Sequence, residues 1–160
     1  IALQMTIRLK GGYDIFMVTI RPVTEVTKSL TDAYRVLIPQ LSSSSNPPTE
    51  EALQRIIESD SAQILIAEDE NGGILGTMTL IIFQIPTGVR AWIEDVVVDS
   101  SARGQGIGKK LNLAALELAK QAGAKTVDLT SRPARKEANQ LYKSIGFVRR
   151  ETNVYRFSFE

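Results

Sequence analysis

Between the apolar run Trp92–Val98 and the helix-forming stretch Lys109–Gln121 lies Arg103-Gly104-Gln105-Gly106-Ile107-Gly108, and this hinge restricts the fold more than any other feature of the chain. A strand that turns through glycines into a helix gathers unpaired backbone N–H groups and the positive end of the helix dipole at one point. Such a point either docks a phosphate-bearing ligand or is a tight turn with no ligand. Two familiar nucleotide loops fail on spacing. A P-loop requires Gly-Lys followed by Ser or Thr, but Gly108-Lys109 is followed by Lys110, so magnesium is offered no hydroxyl. A dinucleotide turn requires G-x-G-x-x-G, whereas Gly104, Gly106 and Gly108 run G-x-G-x-G.

What the chain lacks narrows the chemistry further. None of its 160 residues is His or Cys, so disulfides, thiolate–imidazole nucleophiles, an imidazole base and Cys/His zinc sites are excluded together, and no metal is expected. Proton transfer must fall to Glu, Asp, Tyr, Lys or water. A net charge of +1 provides no strong field for nucleic acid as a partner. The longest apolar runs, around Leu80–Phe83, are far shorter than the roughly 20 residues that span a bilayer, so no membrane partner is expected. Residues 1–16 lack the apolar core of a secretory signal, which makes the cytoplasm the expected location. Met17 opens a strand-like stretch, so 1–16 reads as an N-terminal extension or an artificial leader, with a genuine extra strand as the alternative, and 17–160 as one domain.

Along that domain, Val18–Arg21 alternates as a strand, and Thr24 can cap a helix carrying Val26, Leu30, Tyr34, Leu37 and Leu41 at intervals of three and four. Ser42–Pro48 is a polar loop, and Thr49 caps a second helix with Leu53, Ile56 and Ile57 as its stripe. Gln63–Glu68, Ile74–Ile85 and Trp92–Asp99 read as a three-stranded meander. After the glycine hinge a helix over 106–122 ends at Gly123, Thr126–Thr130 forms a strand, and Pro133 opens a helix carrying Ala138, Leu141, Tyr142 and Ile145. Phe147–Arg149 and Val154–Phe159 complete the pattern as a closing pair of strands. The order is α/β (α+β): a mixed, mostly antiparallel sheet with one parallel pair, Trp92–Asp99 beside Thr126–Thr130, flanked by about four helices.

Two motifs in this order carry a family resemblance. Arg103-x-x-Gly106-x-Gly108 resembles the pyrophosphate turn of the GCN5-related N-acetyltransferases (GNAT). Ala138-Asn139-Gln140-Leu141-Tyr142-Lys143-Ser144-Ile145-Gly146-Phe147 resembles that family's A-N-x-x-Y-x-x-x-G-F segment. The resemblance runs from about Val18 to Phe159 and implies the acyl-CoA N-acyltransferase fold with a seven-stranded sheet. It also implies acetyl-coenzyme A as co-substrate. Val96, Val97 and Val98 would lend backbone groups to the pantetheine, a mode resembling strand addition. Arg103, Gly104, Gln105, Gly106, Ile107, Gly108 and Lys109 would hold the diphosphate, with Lys110 near the 3′-phosphate, and Asn139 and Tyr142 would meet the pantetheine arm and thioester. Read without the family, Asn139 and Tyr142 are equally a surface amide and a core-edge aromatic. Likewise Lys109, Lys110 and Lys120 fit a solvated helix face, and Arg132 and Arg135 fit either an anionic acceptor or a helix start.

Glu94-Asp95 interrupts an apolar strand, where alternation places the two carboxylates on opposite faces. Burial of one would raise its pKa toward the range of a general base. Read without the family, Glu94 can equally lie at the wet end of the strand; in the family a Glu on this strand commonly deprotonates the acceptor amine, which makes Glu94 the first candidate base and Asp95 the second. Tyr142 would then protonate the departing thiolate. With no Cys or His to carry an acyl group, direct transfer in a ternary complex is expected. The acceptor is a small molecule or a protein amine; Trp92-Ile93-Glu94-Asp95 resembles the strand of relatives that acetylate amino sugars. A non-catalytic acyl-coenzyme A sensor or interaction module is the alternative from another class, and pairing through the last two strands is a route to a homodimer.

Overall fold

The computed structural model describes residues 5–8, as backbone, and 17–159, which fall into two compact units, Ile1–Thr130 and Ser131–Glu160. The first unit is built on a six-stranded sheet whose spatial order is its chain order: β1 (Met5–Arg8), β2 (Met17–Pro22), β3 (Ala62–Asp69), β4 (Ile74–Ile85), β5 (Gly88–Val98) and β6 (Val127–Leu129). All neighbours are antiparallel except β5 and β6, which run parallel as the sequence pattern requires. Met5–Arg8 pairs with β2 from inside the segment read as an extension; the rest of 1–16 lies outside the described residues.

The near-continuous apolar run Ile64-Leu65-Ile66-Ala67 is explained by burial of the sheet on both faces. Ile64 and Ile66 pack with Leu30, Tyr34 and Ile38 of α1 (Lys28–Leu41) and with Leu53 of α2 (Glu50–Ile57). Leu65 and Ala67 pair with Met78 and Gly76 and share the opposite face with them. A Cβ on Gly76 would touch Leu111 of α3 (Ile107–Gln121), which identifies that face as the one α3 covers. The small residues Ala114, Ala115 and Ala119, buried with Ile107 and Leu111, let α3 lie close to the strands.

Helix starts follow side-chain chemistry. Thr49 accepts from the Ala52 N–H as the cap of α2, where Glu50 and Glu51 complement the helix dipole, as expected. The first helix is capped by Thr27, not Thr24: the Thr27 hydroxyl accepts from the Leu30 N–H, and Val26 packs against the core from outside the helix. Pro86-Thr87 form a two-residue hairpin, because β5 begins at Gly88, opposite Ile85.

In the second unit, α4 (Lys136–Ser144) begins three residues after Pro133. Pro133 instead sits within a turn closed by the Arg135 N–H on the Arg132 carbonyl, a position its fixed φ suits. Phe147–Arg149 and Val154–Phe159 form no strand, so the described residues give six strands where seven were expected. Tyr155, Phe157 and Phe159 do alternate, but a strand requires a paired ladder and a covered face. These side chains are 82–91 % exposed, and Phe157 and Phe159 meet only edge to face.

Two expected outcomes test this packing. Leu53 is fully buried in the α1–α2–β3 cluster, so Leu53→Ala should lower stability by about 2–5 kcal/mol in urea unfolding. Arg21 grips Glu68 bidentately, at 2.7 and 2.8 Å, across β2 and β3. The hydrogen bond to that guanidinium holds the Glu68 carboxyl below the ordinary carboxylate range, against an opposing contribution from burial. The folded state therefore binds fewer protons than the unfolded one, and the stabilisation is present above about pH 4 and lost as pH falls through the depressed value. Glu68→Gln should cost less than about 1 kcal/mol at pH 7, and this deficit should vanish toward pH 3 in thermal melts.

Candidate active site

The parallel pairing of β5 with β6 covers only Ala91, Trp92 and Ile93, ending opposite Leu129. From Glu94 to Val98, β5 continues with β4 on one edge and no described strand on the other. In the same stretch the ladder with β4 is broken. Thr79 faces Glu94 and Thr77 faces Val97, so Asp95 and Val96 together stand opposite Met78 as a β-bulge. Asp95 takes φ 53°, the one non-glycine positive φ among the described residues, and a strained carboxylate-bearing residue at a strand opening is a feature of functional sites.

The bulge corrects the expected placement of the carboxylates. Simple alternation puts Glu94 and Asp95 on opposite faces with one of them buried; with the extra residue the alternation is lost and both are exposed. Glu94 accepts a hydrogen bond from the indole N–H of Trp92, its same-face neighbour, at 2.7 Å. Val97 is buried and Val96 and Val98 are half-buried, so what this segment offers a ligand is backbone. Beneath the bulge, buried Tyr34 shares a hydrogen bond of 3.0 Å with Thr77, whose hydroxyl donates to the Leu65 carbonyl. Burial pushes the Tyr34 phenol up and the nearby Asp95 charge pushes the same way, while the Thr77 bond opposes both. Sequence periodicity had shown Tyr34 only as part of a helix stripe.

At the end of β5 the chain passes through a short 3-10 helix, Ser100–Ala102, into the glycine turn. Gly104 and Gly106 both adopt positive φ, 77° and 78°, a conformation that is cheap only without a Cβ. Gly106 caps α3 with no side chain to accept from the first turn, and the Lys110 N–H is the first to find a helical partner, the Gly106 carbonyl. Every amide from Arg103 to Lys109 is without an internal acceptor among the described hydrogen bonds. Seven consecutive donors at the dipole's positive end have the chemistry of an anion cradle.

The side chains of the turn are placed less simply than expected. Arg103 donates through Nε to the Val98 carbonyl at 3.2 Å and through Nη2 to Gln40 at 3.4 Å, which braces the strand end. Lys109 is exposed beside the cradle, as is Lys120. Lys110 is not part of a solvated face: it is buried, its Nζ has no partner, and burial pushes its pKa down. Asn112, fully buried, donates to the Gly108 carbonyl at 2.8 Å and fastens the first turn of α3.

In the second unit, Asn139 and Tyr142 lie three residues apart on α4. The Asn139 amide nitrogen donates to the carbonyls of Arg132 and Arg135, both at 2.9 Å, which ties down the loop before the helix and leaves its carbonyl oxygen free. Tyr142 is buried, stacks edge to face on Phe147, and has its phenol pushed up by burial against a smaller opposing effect of Arg135. Gly146, at φ 103°, turns the chain so that the Phe147 N–H closes on the Tyr142 carbonyl. Arg132 and Arg135 are exposed.

Residues 25–147 match the family model described as "Acetyltransferase (GNAT) family". The chain belongs to the GNAT acetyltransferase family. Among GNAT relatives, it is 38% identical over 95 residues to "Probable glucosamine 6-phosphate N-acetyltransferase 2" of Oryza sativa subsp. japonica, covering 56% of this chain and 55% of that protein. It is 35% identical over 127 residues to "Glucosamine 6-phosphate N-acetyltransferase 1" of the same organism, covering 74% and 73%. The chain thus spans about half the length of the first of these relatives. A solved structure of an aminoglycoside acetyltransferase from an uncultured soil metagenomic sample, in complex with trehalose, superposes with a TM-score of 0.76 over 89% of this chain and 96% of that one. At 22% identity it shows the shared fold.

Open space surrounds Gly106: a Cβ there would meet no heavy atom within 4 Å. Gly106→Ala is therefore penalised by its positive φ alone, and should lower stability by about 1–2 kcal/mol in urea unfolding, without loss of the folded state.

Proposed function

We propose that residues 17–160 act as an N-acetyltransferase that moves the acetyl group of acetyl-coenzyme A directly to a primary amine. The observation that carries this reading is the run of seven amides, 103–109, that among the described residues have no internal acceptor, at the end of a strand whose last five residues have no described strand on one edge. A diphosphate on those amides lets the attached pantetheine run back along Val96–Val98 as an added strand. Its thioester then arrives near the bulge. Arg103, Gln105 and Lys109 flank the same anion.

The chemistry requires three events. An ammonium must first lose a proton; Glu94 takes it, directly or through water, with Asp95 as the second candidate. The amine nitrogen then attacks the thioester carbonyl, the C–N bond forms, and the tetrahedral intermediate expels coenzyme A as its C–S bond breaks. Tyr142 gives the departing thiolate its proton, a role that rests on the match of Ala138–Phe147 to the family's A-N-x-x-Y-x-x-x-G-F segment. Asn139, with a free carbonyl oxygen, can accept from an amide of the pantetheine arm. Holding both reactants in one site contributes as much as either proton transfer. Similarity to the two rice glucosamine 6-phosphate acetyltransferases supports an amino sugar or other small amine over a protein amine.

Calorimetry with acetyl-coenzyme A, followed by an amine panel monitored for released thiol, tests the proposal. Binding and thiol release are expected, with Glu94→Gln and Tyr142→Phe each lowering kcat by about 10²-fold or more while cofactor binding persists. Failure of the wild-type chain to bind acetyl-coenzyme A overturns the reading. Binding with no thiol release on any amine assigns the chain instead to a non-catalytic acyl-coenzyme A sensor.

A further inference from the structure

We infer that Gln40, in the last turn of α1, is a positioning residue that sets the anion cradle for the coenzyme; the inference rests on the function proposed above. Its carboxamide makes four contacts. Nε2 donates to the Asp99 carboxylate at 3.0 Å and to the Val36 carbonyl at 3.2 Å. Oε1 accepts from the Ser100 N–H at 2.8 Å and from Arg103 Nη2 at 3.4 Å. Asp99, Ser100 and Arg103 are the residues that lead β5 into the glycine turn, so one side chain holds the entire entry to the cradle.

The surrounding bonds point the same way. Asp99 turns its other oxygen to the N–H and hydroxyl of Ser101, and the Ser101 hydroxyl, then Gln40, hold the Asp99 carboxyl below the ordinary range. Arg103 is steadied from its other side by the Val98 carbonyl. Gln40 is itself carried by a helix whose neighbouring Leu37 and Ile38 are buried in the core. Gly104 and Gly106 have no Cβ to restrict them, so without this tether the seven amides would have to be ordered when the anion binds, at the expense of affinity.

The chemistry demands a primary amide of this length. Glu accepts but cannot donate, and sets a second negative charge against Asp99; Met does neither; Asn is one methylene short. A reciprocal exchange is nevertheless available. In Gln40→Glu with Asp99→Asn, the new carboxylate accepts from Ser100, Arg103 and the Asn amide, which restores the bridge to the turn with donor and acceptor reversed and the total charge unchanged, and gives up only the bond to the Val36 carbonyl.

The experiment compares acetyl-coenzyme A with S-acetylpantetheine, which has the thioester and arm but no diphosphate, on wild type, Gln40→Met, Gln40→Glu and the Gln40→Glu/Asp99→Asn pair. Each protein is first checked by circular dichroism and thermal melting. Gln40→Met and Gln40→Glu should raise KM and Kd for acetyl-coenzyme A about tenfold or more, with kcat and the S-acetylpantetheine parameters within about twofold of wild type. The exchanged pair should recover most of the acetyl-coenzyme A affinity. Unchanged acetyl-coenzyme A affinity in Gln40→Met, equal losses toward both thioesters, or no recovery in the pair would each overturn the inference while the proposed function stands. A wild-type protein that binds no acetyl-coenzyme A would remove both. If Gln40→Met does not fold, the contrast between Gln40→Glu and the exchanged pair decides the question.

Discussion

A strand that loses its neighbour halfway along is the constraint on which the rest of this molecule depends. β5 is paired on both edges from Ala91 to Ile93 and, among the described residues, on one edge from Glu94 to Val98, because β6 ends at Leu129. Backbone donors and acceptors on such an edge need water or a ligand, and the bulge at Asp95-Val96 loosens the other edge at the same point. Five residues further on, seven more amides, leading into α3, are unpaired among the described residues. Two kinds of unmet backbone hydrogen bonding thus lie in sequence along one path. An extended ligand with amides in its arm and an anion at its end would satisfy both, and the proposed function rests on that match.

α1 braces this path at two places. Tyr34, in the middle of the helix, reaches Thr77 under the bulge, and Gln40, nearly two turns later, reaches the residues that open the glycine turn. The helix is held against the sheet by Leu30, Leu37 and Ile38, so its buried stripe fixes the geometry of the open strand as well as filling the core. α3 completes the frame from the other face, where its alanines allow the close approach that brings its N-terminus to the strand end. Polar contacts from α1 and apolar contacts from α3 therefore position the same short segment, 94–109.

The motifs of the candidate site were legible because their signals are local. A glycine-rich hinge between an apolar run and a helical period, and an Asn-x-x-Tyr pair on a helix ending at Gly-Phe, are patterns of neighbouring residues, and the family match covers both. The carboxylates were legible as residue types but not in their placement. Alternation assumes one residue facing one residue, and the bulge opposite Met78 breaks that count, leaving Glu94 and Asp95 both in solvent. Lys110 went the other way: three lysines on a helix read as a wet face, yet one of them is buried with a depressed pKa. The final strands failed for a further reason. Alternation at Tyr155, Phe157 and Phe159 records a capacity to form a strand, while the strand itself depends on a partner ladder.

The chain by itself determined the helices, the inner strands and what chemistry is open to them, since helix period, turn glycines and the lack of His and Cys are all properties of a residue and its near neighbours. Only the tertiary structure decided where β6 stops beside β5, where the bulge falls, and that Gln40 meets Asp99 and Ser100 across about sixty residues of sequence. Those outcomes depend on register and on contacts between distant segments, and register is fixed by how both faces of the sheet are covered at once.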